Sequence, residues 1–328
     1  MRKYVLRRLL QLIPILLGIT FLSFAMMHLA GSDAVTELYS NAGAAVSQEV
    51  ISAARAELGL DRPFLTQYFS WLGGLLSGDM GVSYISGRDV FTTFVSKLPA
   101  TLLLAAASVS LTIIISIPLG VLSAVTYNKS QTDRDGLRRF LYALADYVIR
   151  FLSFVGNSLP NFFVALLLMN LFSIRLGVLP VISDGVTFRS AIMPTLTLAV
   201  AMSAKYLRQV RATVLEELNQ DYVTGAKARG VRNGVILWNS VIKSSMLTIV
   251  TLLALSIGNL LGGAAIVESI FMWDGVGKLA VDAIAMRDYP MIQAYVVWMA
   301  IIYVLVNLAT DLLYCALDPR IRLEVNGA

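Results

Sequence analysis

The stretch 216–230, EELNQDYVTGAKARG, is a polar island between apolar runs at 192–207 and 247–267. It gives an otherwise greasy chain a short, structured surface suited to docking another protein. Of the 328 residues, 57% are hydrophobic and 14% charged, and the mean hydropathy is +0.73. These are the values of a polytopic membrane protein, not of a soluble domain. Cys315 is the one cysteine and His28 the one histidine, which excludes an intrachain disulfide framework and a His/Cys cluster at metal-ligand spacing. The net charge of +5 does not imply nucleic acid, because the basic residues flank apolar spans and form no basic helix face or aromatic platform.

Working outward from the island, the runs 9–29, 101–125, 247–267 and 291–309 carry no charged residue. Each is long enough to cross about 30 Å at about 1.5 Å per residue. The run 140–174 carries Asp146 and Arg150 in its first third and is interrupted by Pro160 in SLPNFF. It reads as an interfacial, amphipathic lead-in that becomes a single crossing around Pro160 and ends near Arg175. The run 192–207 is a sixth crossing if Lys205 and Arg208 extend to an interface, as long cationic side chains can. The expected fold is therefore an all-α polytopic membrane protein with six transmembrane helices.

Charge sets the orientation. With a cytosolic amino terminus, the inner segments 1–8, 127–139, 205–243 and 316–328 hold four, four, seven and two Lys/Arg, against four, two and two in the outer segments 31–98, 175–191 and 268–290. The positive-inside rule puts both termini in the cytoplasm, with little weight on the long outer segment. The opening MRKYVLRR and its apolar run do not read as a cleaved signal peptide, because the run exceeds about 15 residues and lacks a cleavage site.

Two extramembrane regions follow. In 31–98, Phe64, Tyr68, Trp71, Leu72 and Leu75 recur at helical spacing, an amphipathic helix that either packs on the protein or membrane interface or serves as a lid or docking surface. In the inner loop, Asp221 reads as the N-cap of a short helix and Gly230 as its left-handed terminus. A helix over 213–218 would meet it at a polar corner made by Asn219 and Gln220. Gly225, Ala226 and Ala228 would let a partner approach closely. Taken alone, such a hairpin is equally an ordinary cytosolic loop.

DYVTGAKARG resembles the EAA loop of ABC importer permeases in the form found in the dipeptide, oligopeptide and nickel permease family. Further similarities run in order along the chain: MRKYVLRRLLQLIPILLGITFLSF, GLDRPFLTQY, GDMGVSY, LPATLLLA, LPNFF, RLGVLP, IVESIFMWDGVGKLAVDAIAMRDYPMIQA and DLLYCALDPRIR. The resemblance implies a type I ABC importer permease-like fold in the cell inner membrane, divided into a first span at 1–30, an extracytoplasmic segment at 31–98, a permease core at 99–315 with a coupling loop at 213–235, and a cytoplasmic tail at 316–328. It implies a coupling helix seated in an ATPase cleft, with Glu217, Ala226 and Gly230 carried over from the motif, Asp221 as cap, and Glu216 and Glu217 facing cationic ATPase groups. The implied partners are a second related permease, two cytosolic ATPase subunits and an extracytoplasmic substrate-binding protein. Where the family usually has a proline after the loop, this chain has Thr248, so the helix leaving the loop is expected to be straighter.

The chain itself has no GxxxxGK[ST] phosphate loop, so ATP and Mg²⁺ belong to the partners and this subunit carries no cofactor and no catalysis. The expected cargo is di- or oligopeptides moved by alternating access; a nickel or metal-chelate importer is the alternative. An ion-coupled secondary transporter is more remote, because no span holds the several ionisable groups of a proton relay. In the span at 247–267, Gly258 and Gly262 share a face with Asn259 close by, either a packing seam or a substrate path lined by Asn259. His28 reads as an interfacial residue. Trp273 and Asp274 read as an outer turn before a short helix, facing the delivering protein or anchoring an interface.

Overall fold

The computed structural model describes residues 2–29, 35 and 47–317. Among these the regular structure is helical, and one isolated antiparallel bridge pairs Val82 with Asp89. The helices are α1 Arg2–Leu29, α2 Gln48–Glu57, α3 Phe64–Leu76, α4 Val90–Thr132, α5 Gly136–Ser158, α6 Asn161–Leu168 with a π-helical continuation Met169–Arg175, α7 Phe188–Leu218 and α8 Asp221–Ala228. After these come α9 Asn233–Ile236 with a π-helical turn Leu237–Val241, α10 Ile242–Ile270, α11 Val276–Ala285 and α12 Tyr289–Leu317.

Four stretches of described helix are long and apolar enough to cross a bilayer: Leu10–Leu29, Val90–Thr132, Asn233–Thr251 and Tyr289–Leu312. A fifth arises if α5 and the helix after it, Asn161–Arg175, count as one span, and these two meet at 103°. The single crossing expected around Pro160 is thus sharply bent. Leu159 is extended (φ −84°, ψ 128°), the conformation a following proline imposes, and Pro160 has no N–H to continue the ladder. The sixth expected crossing lies in α7, whose 31 residues are long enough at about 1.5 Å each but carry Lys205, Arg208, Arg211, Glu216 and Glu217 in their second half.

The described chain packs as two compact units, one within Met1–Leu102 and Asp274–Leu308, the other within Leu103–Trp273 and Ala309–Ala328. In the first, Phe24 and Met27 of α1, Tyr68 of α3 and Met291, Ile292 and Ala294 of α12 share one apolar core. The aromatic spacing read at 64–75 is therefore a helix packed on its own protein: Tyr68 meets Phe21 and Phe24 at ring distances of 5.3 and 5.7 Å, and its hydroxyl shares a 3.2 Å hydrogen bond with Thr20. His28 lies edge-on to Phe64 at 5.2 Å, in the same aromatic group. In this unit too, α11 is followed by a left-handed Arg287 (φ 55°), which lets Asp288 turn back and accept from Ser83 Oγ (2.5 Å) and the Tyr84 N–H (3.1 Å). Burial, then the Asp288 charge, push the Tyr84 phenol up to about 12.

In the second unit, Val121 and Ala124 of α4 pack with Tyr206, Val210 and Val214 of α7, Val223 of α8, Ile236 of α9, and Val241 and Ile249. Trp273 is fully buried and ends a left-handed turn through Met272 (φ 53°), its N–H reaching Glu268 O at 2.8 Å. It is a core residue, contrary to the surface roles expected of it, whereas Asp274, in the first unit, pairs with Lys97. Thr248 lies in the regular α-helix of α10, and the π-helical turn Leu237–Val241 immediately precedes that helix.

Helices α4, α5 and α7 approach closely because small residues line their contacts. A methyl group on Gly156 of α5 would stand 3.0 Å from Ala204 Cβ, and one on Gly120 of α4 would stand 2.7 Å from Val210 Cβ and 3.0 Å from Leu207 O. Gly120→Ala is therefore expected to destabilise the subunit by about 1–3 kcal/mol through overpacking, read as a lowered melting temperature in detergent. Val210→Ala should not rescue it, since Val210 Cβ is itself the clashing atom.

Candidate functional site: the inner loop and its supports

The polar island forms a helical hairpin. Helix α7 ends at Leu218, where the N–H groups of Asn219 and Gln220 bond back to Glu216 O and Glu217 O at 3.2 Å each. The Asn219 side-chain amide donates to Leu215 O at 2.9 Å. Gln220 is extended (φ −72°, ψ 152°), which turns the chain into α8. The expected cap is corrected by one residue: Gln220 holds the N-cap position, without a side-chain cap bond, and Asp221 is the first helical residue. At that position its carboxylate lies against the positive end of the helix dipole. This is a favourable but different role.

Gly230 has φ +78°, as the sequence led us to expect. Around it the Val231 N–H reaches Ala226 O at 3.1 Å and the Gly230 N–H reaches Lys227 O at 3.0 Å, the paired bonds of a Schellman terminus. Glycine is needed because an L side chain is strained at this φ, not for want of room, since a methyl there would meet nothing within 4 Å.

An eight-residue helix is too short to persist alone in water, so α8 depends on its docking. Val223 is fully buried against the core of α4, α7 and α9, and Ala226 packs beside it. Tyr222 donates its phenolic hydrogen to Glu217 Oε2 at 2.6 Å, bridging α8 to α7. Partial burial and then this bond push the Tyr222 phenol up to about 12, with Ser244 opposing. Of the three small residues read as points of close approach, Gly225 and Ala228 are exposed and Ala226 turns inward. Glu216, Asp221 and Gly230 are exposed and Glu217 half-buried. Beside α8 lies a cavity of about 390 Å³, lined among others by Asn128 and Lys129 of α4, Val223 and Lys227 of α8, and Asn233 and Leu237.

The structure adds a polar cluster that the sequence reading missed. Asp146 on α5, only 2% exposed, receives Arg211 of α7 through Nε at 3.0 Å and Nη2 at 3.2 Å. It also accepts from Ser123 of α4 at 2.5 Å and pairs with Arg150 at 3.1 Å. Arg211 Nε reaches Ser123 Oγ at 3.0 Å as well, and the guanidinium lies 5.0 Å from the Tyr127 ring centroid. Removing one member of such a buried pair typically costs about 3–5 kcal/mol. The sequence held half of the signal, the i, i+4 pair Asp146 and Arg150 in an apolar run; Arg211, 65 residues away, was visible only as one more inner cation. Asn259 lies on α10, but its side chain is outside the described residues. Among the described residues, a methyl on nearby Gly262 would meet nothing within 4 Å.

The description "Binding-protein-dependent transport system inner membrane component" matches residues 116–323, and that of the amino-terminal part of such membrane components matches 1–105. The oligopeptide transport system permease protein AppB of Bacillus subtilis (strain 168) is 38% identical, with 98% of this chain and 100% of that protein aligned. The glutathione transport system permease protein GsiC of Pectobacterium atrosepticum is 36% identical over 98% of this chain and 99% of its own length. In fold, the chain is similar to a subunit of the methionine ABC transporter MetNI in an inward-facing conformation, with a TM-score of 0.55 and 18% identity over 70% of this chain and 97% of that one.

Two glycine substitutions separate conformation from space in the loop. Gly225→Ala, in helix with open space around it, should strengthen α8 by about 0.5–1 kcal/mol. Gly230→Ala, equally unobstructed but at positive φ, should weaken it by about 1–2 kcal/mol. Amide hydrogen exchange over 221–231 should slow in the first variant and quicken in the second.

Proposed function

The chain belongs to the binding-protein-dependent transport system inner membrane components, and on that premise we propose that it is one permease half of a peptide importer, coupled to ATP hydrolysis through α8. As a member it is a multi-pass membrane transport subunit of an ABC importer, and ATP hydrolysis belongs to separate ATPase subunits. The observation that carries the peptide assignment is the 38% identity to an oligopeptide permease over 98% of the chain. The glutathione permease is of the same kind, its named cargo being itself a small peptide. The complex proposed is two related permeases, two ATPase subunits bearing ATP and Mg²⁺, and an extracytoplasmic binding protein. Both termini and the 213–235 loop face the cytoplasm, and 31–98 lies outside.

Mechanistically, α8 is the handle. Its outer surface presents Asp221, Gly225 and Ala228 to an ATPase cleft, with Glu216 and Glu217 at the corner beside it for cationic groups there. Its inner surface, Val223 and Ala226, is packed against α4, α7 and α9. Closure of the ATPase dimer displaces a docked, capped helix as a solid piece and so moves the helices beneath it, a rigid-body transition biased by ligand. Asn259 is proposed to face the translocation path from α10.

Gly230→Asp should insert normally in the membrane, lose co-purification of the ATPase subunits, and abolish uptake of labelled di- and oligopeptides in cells at matched ATP. Normal uptake in this variant would remove the coupling role of α8. If deletion of the chain spares peptide uptake but abolishes labelled nickel uptake, the cargo assignment moves to metal.

A further inference from the structure

We propose that Asp146 and Arg211 form a positioning clamp that makes the coupling loop move as one body with the facing turns of α4 and α5. The ion pair would then set how much transport each round of ATP hydrolysis drives. This rests on the reading of α8 as the coupling helix and goes beyond it, because neither residue lies in the loop.

Placement is the first reason. Arg211 lies on α7 two turns before its end at Leu218, and Val214 between them is fully buried. The loop is fastened to α7 by Tyr222 and Glu217, so a displacement of α8 reaches Arg211 through continuous helix. At Arg211 it meets two other helices at once: α5 through Asp146 and α4 through Ser123 and Tyr127.

The bonding chemistry is the second reason. Both carboxylate oxygens of Asp146 are used twice, Oδ1 by Ser123 (2.5 Å) and Arg211 Nε (3.0 Å), Oδ2 by Arg211 Nη2 (3.2 Å) and Arg150 (3.1 Å). A planar, two-pronged fork held over an aromatic ring fixes direction as well as distance. Apolar side chains could fill this space with equal stability but would slide; a buried ion pair specifies register. Sliding α7 by one turn would break both prongs, leaving the mostly buried Arg211 without its carboxylate and Asp146 with Arg150 alone, so the three helices are coupled to a single arrangement.

The test uses the full complex in proteoliposomes, with Cys315→Ser as parent and spin labels at Thr224→Cys on α8 and Val148→Cys on α5, both exposed. Expected in the parent is one label distance, unchanged by ATP with vanadate. Arg211→Gln and Asp146→Asn should keep ATPase co-purification, broaden that distance, and lower uptake of a labelled tripeptide per ATP hydrolysed by about tenfold, a typical coupling magnitude. The double variant Asp146→Asn/Arg211→Gln, with no buried charge left unpaired, should recover membrane abundance but not uptake per ATP. A nucleotide-dependent distance in the parent overturns the clamp, as do variants with parental distance and coupling, or full recovery in the double variant. Loss of all three variants from the membrane also overturns it, leaving the pair a folding element only. Failure of the parent itself to hold ATPase subunits would instead strike the coupling-helix reading.

Discussion

Hydrocarbon offers no hydrogen-bond partner, so each backbone amide surrounded by lipid must be satisfied within its own segment. That constraint leaves helix as the form for the apolar runs of this chain and pushes every specific polar contact to helix ends, loops or helix–helix seams. The long helices are accordingly uninformative in their middles and informative where they stop. α11 stops at a left-handed Arg287 so that Asp288 can bond Ser83 and Tyr84. The hairpin between α7 and α10 stops and restarts at Gln220 and Gly230.

The constraint also explains what could be read from the sequence. Span positions at 9–29, 101–125 and 291–309 depend on mean apolarity alone, a property of the local chain, and described helices cover all three. The Gly230 terminus was legible because only one residue type sits comfortably at φ +78°. Asp221 was misplaced by one position because an acidic residue at a helix start satisfies either the cap or the dipole, and sequence pattern does not separate the two. Trp273 was read as a surface residue, facing the delivering protein or anchoring an interface, because tryptophan near a span end is usually at the surface. Its burial follows from the turn through Met272, and a methionine at positive φ gives no advance notice of itself.

What stayed hidden was pairing at a distance. Asp146 and Arg150 looked like an interfacial charge pair on an amphipathic lead-in, and α5 does carry a wide apolar face with Phe151, Leu152 and Phe154 exposed. Yet Asp146 lies with Ile149, Ser153 and Gly156 on the opposite, buried face. Gly156 and Ser153 are the residues that let α7 come close, through the Ala204 contact and a 2.6 Å bond from Ser153 Oγ to Ala204 O. The small residues and the ion pair thus belong to one seam: the first sets the helix separation, and that separation is what brings Arg211 within reach of Asp146.

The coupling role proposed for α8 sets two opposed demands. The helix must present an open, polar surface to a partner that binds and releases, yet it must not deform when pushed. An isolated eight-residue helix meets the first demand and fails the second, since its own hydrogen bonds do not outweigh the cost of ordering it. In this chain stiffness comes from beneath: Val223 is sunk in a core built from four other helices, α4, α7, α9 and α10, and both ends are fixed, one through Tyr222 and Glu217, the other through the Schellman bonds at Gly230. None of these contacts uses the outward residues Gly225 and Ala228, so the surface offered to a partner is free of structural duty. The π-helical turn Leu237–Val241 leading into α10 is held in the same core, with Val241 fully buried.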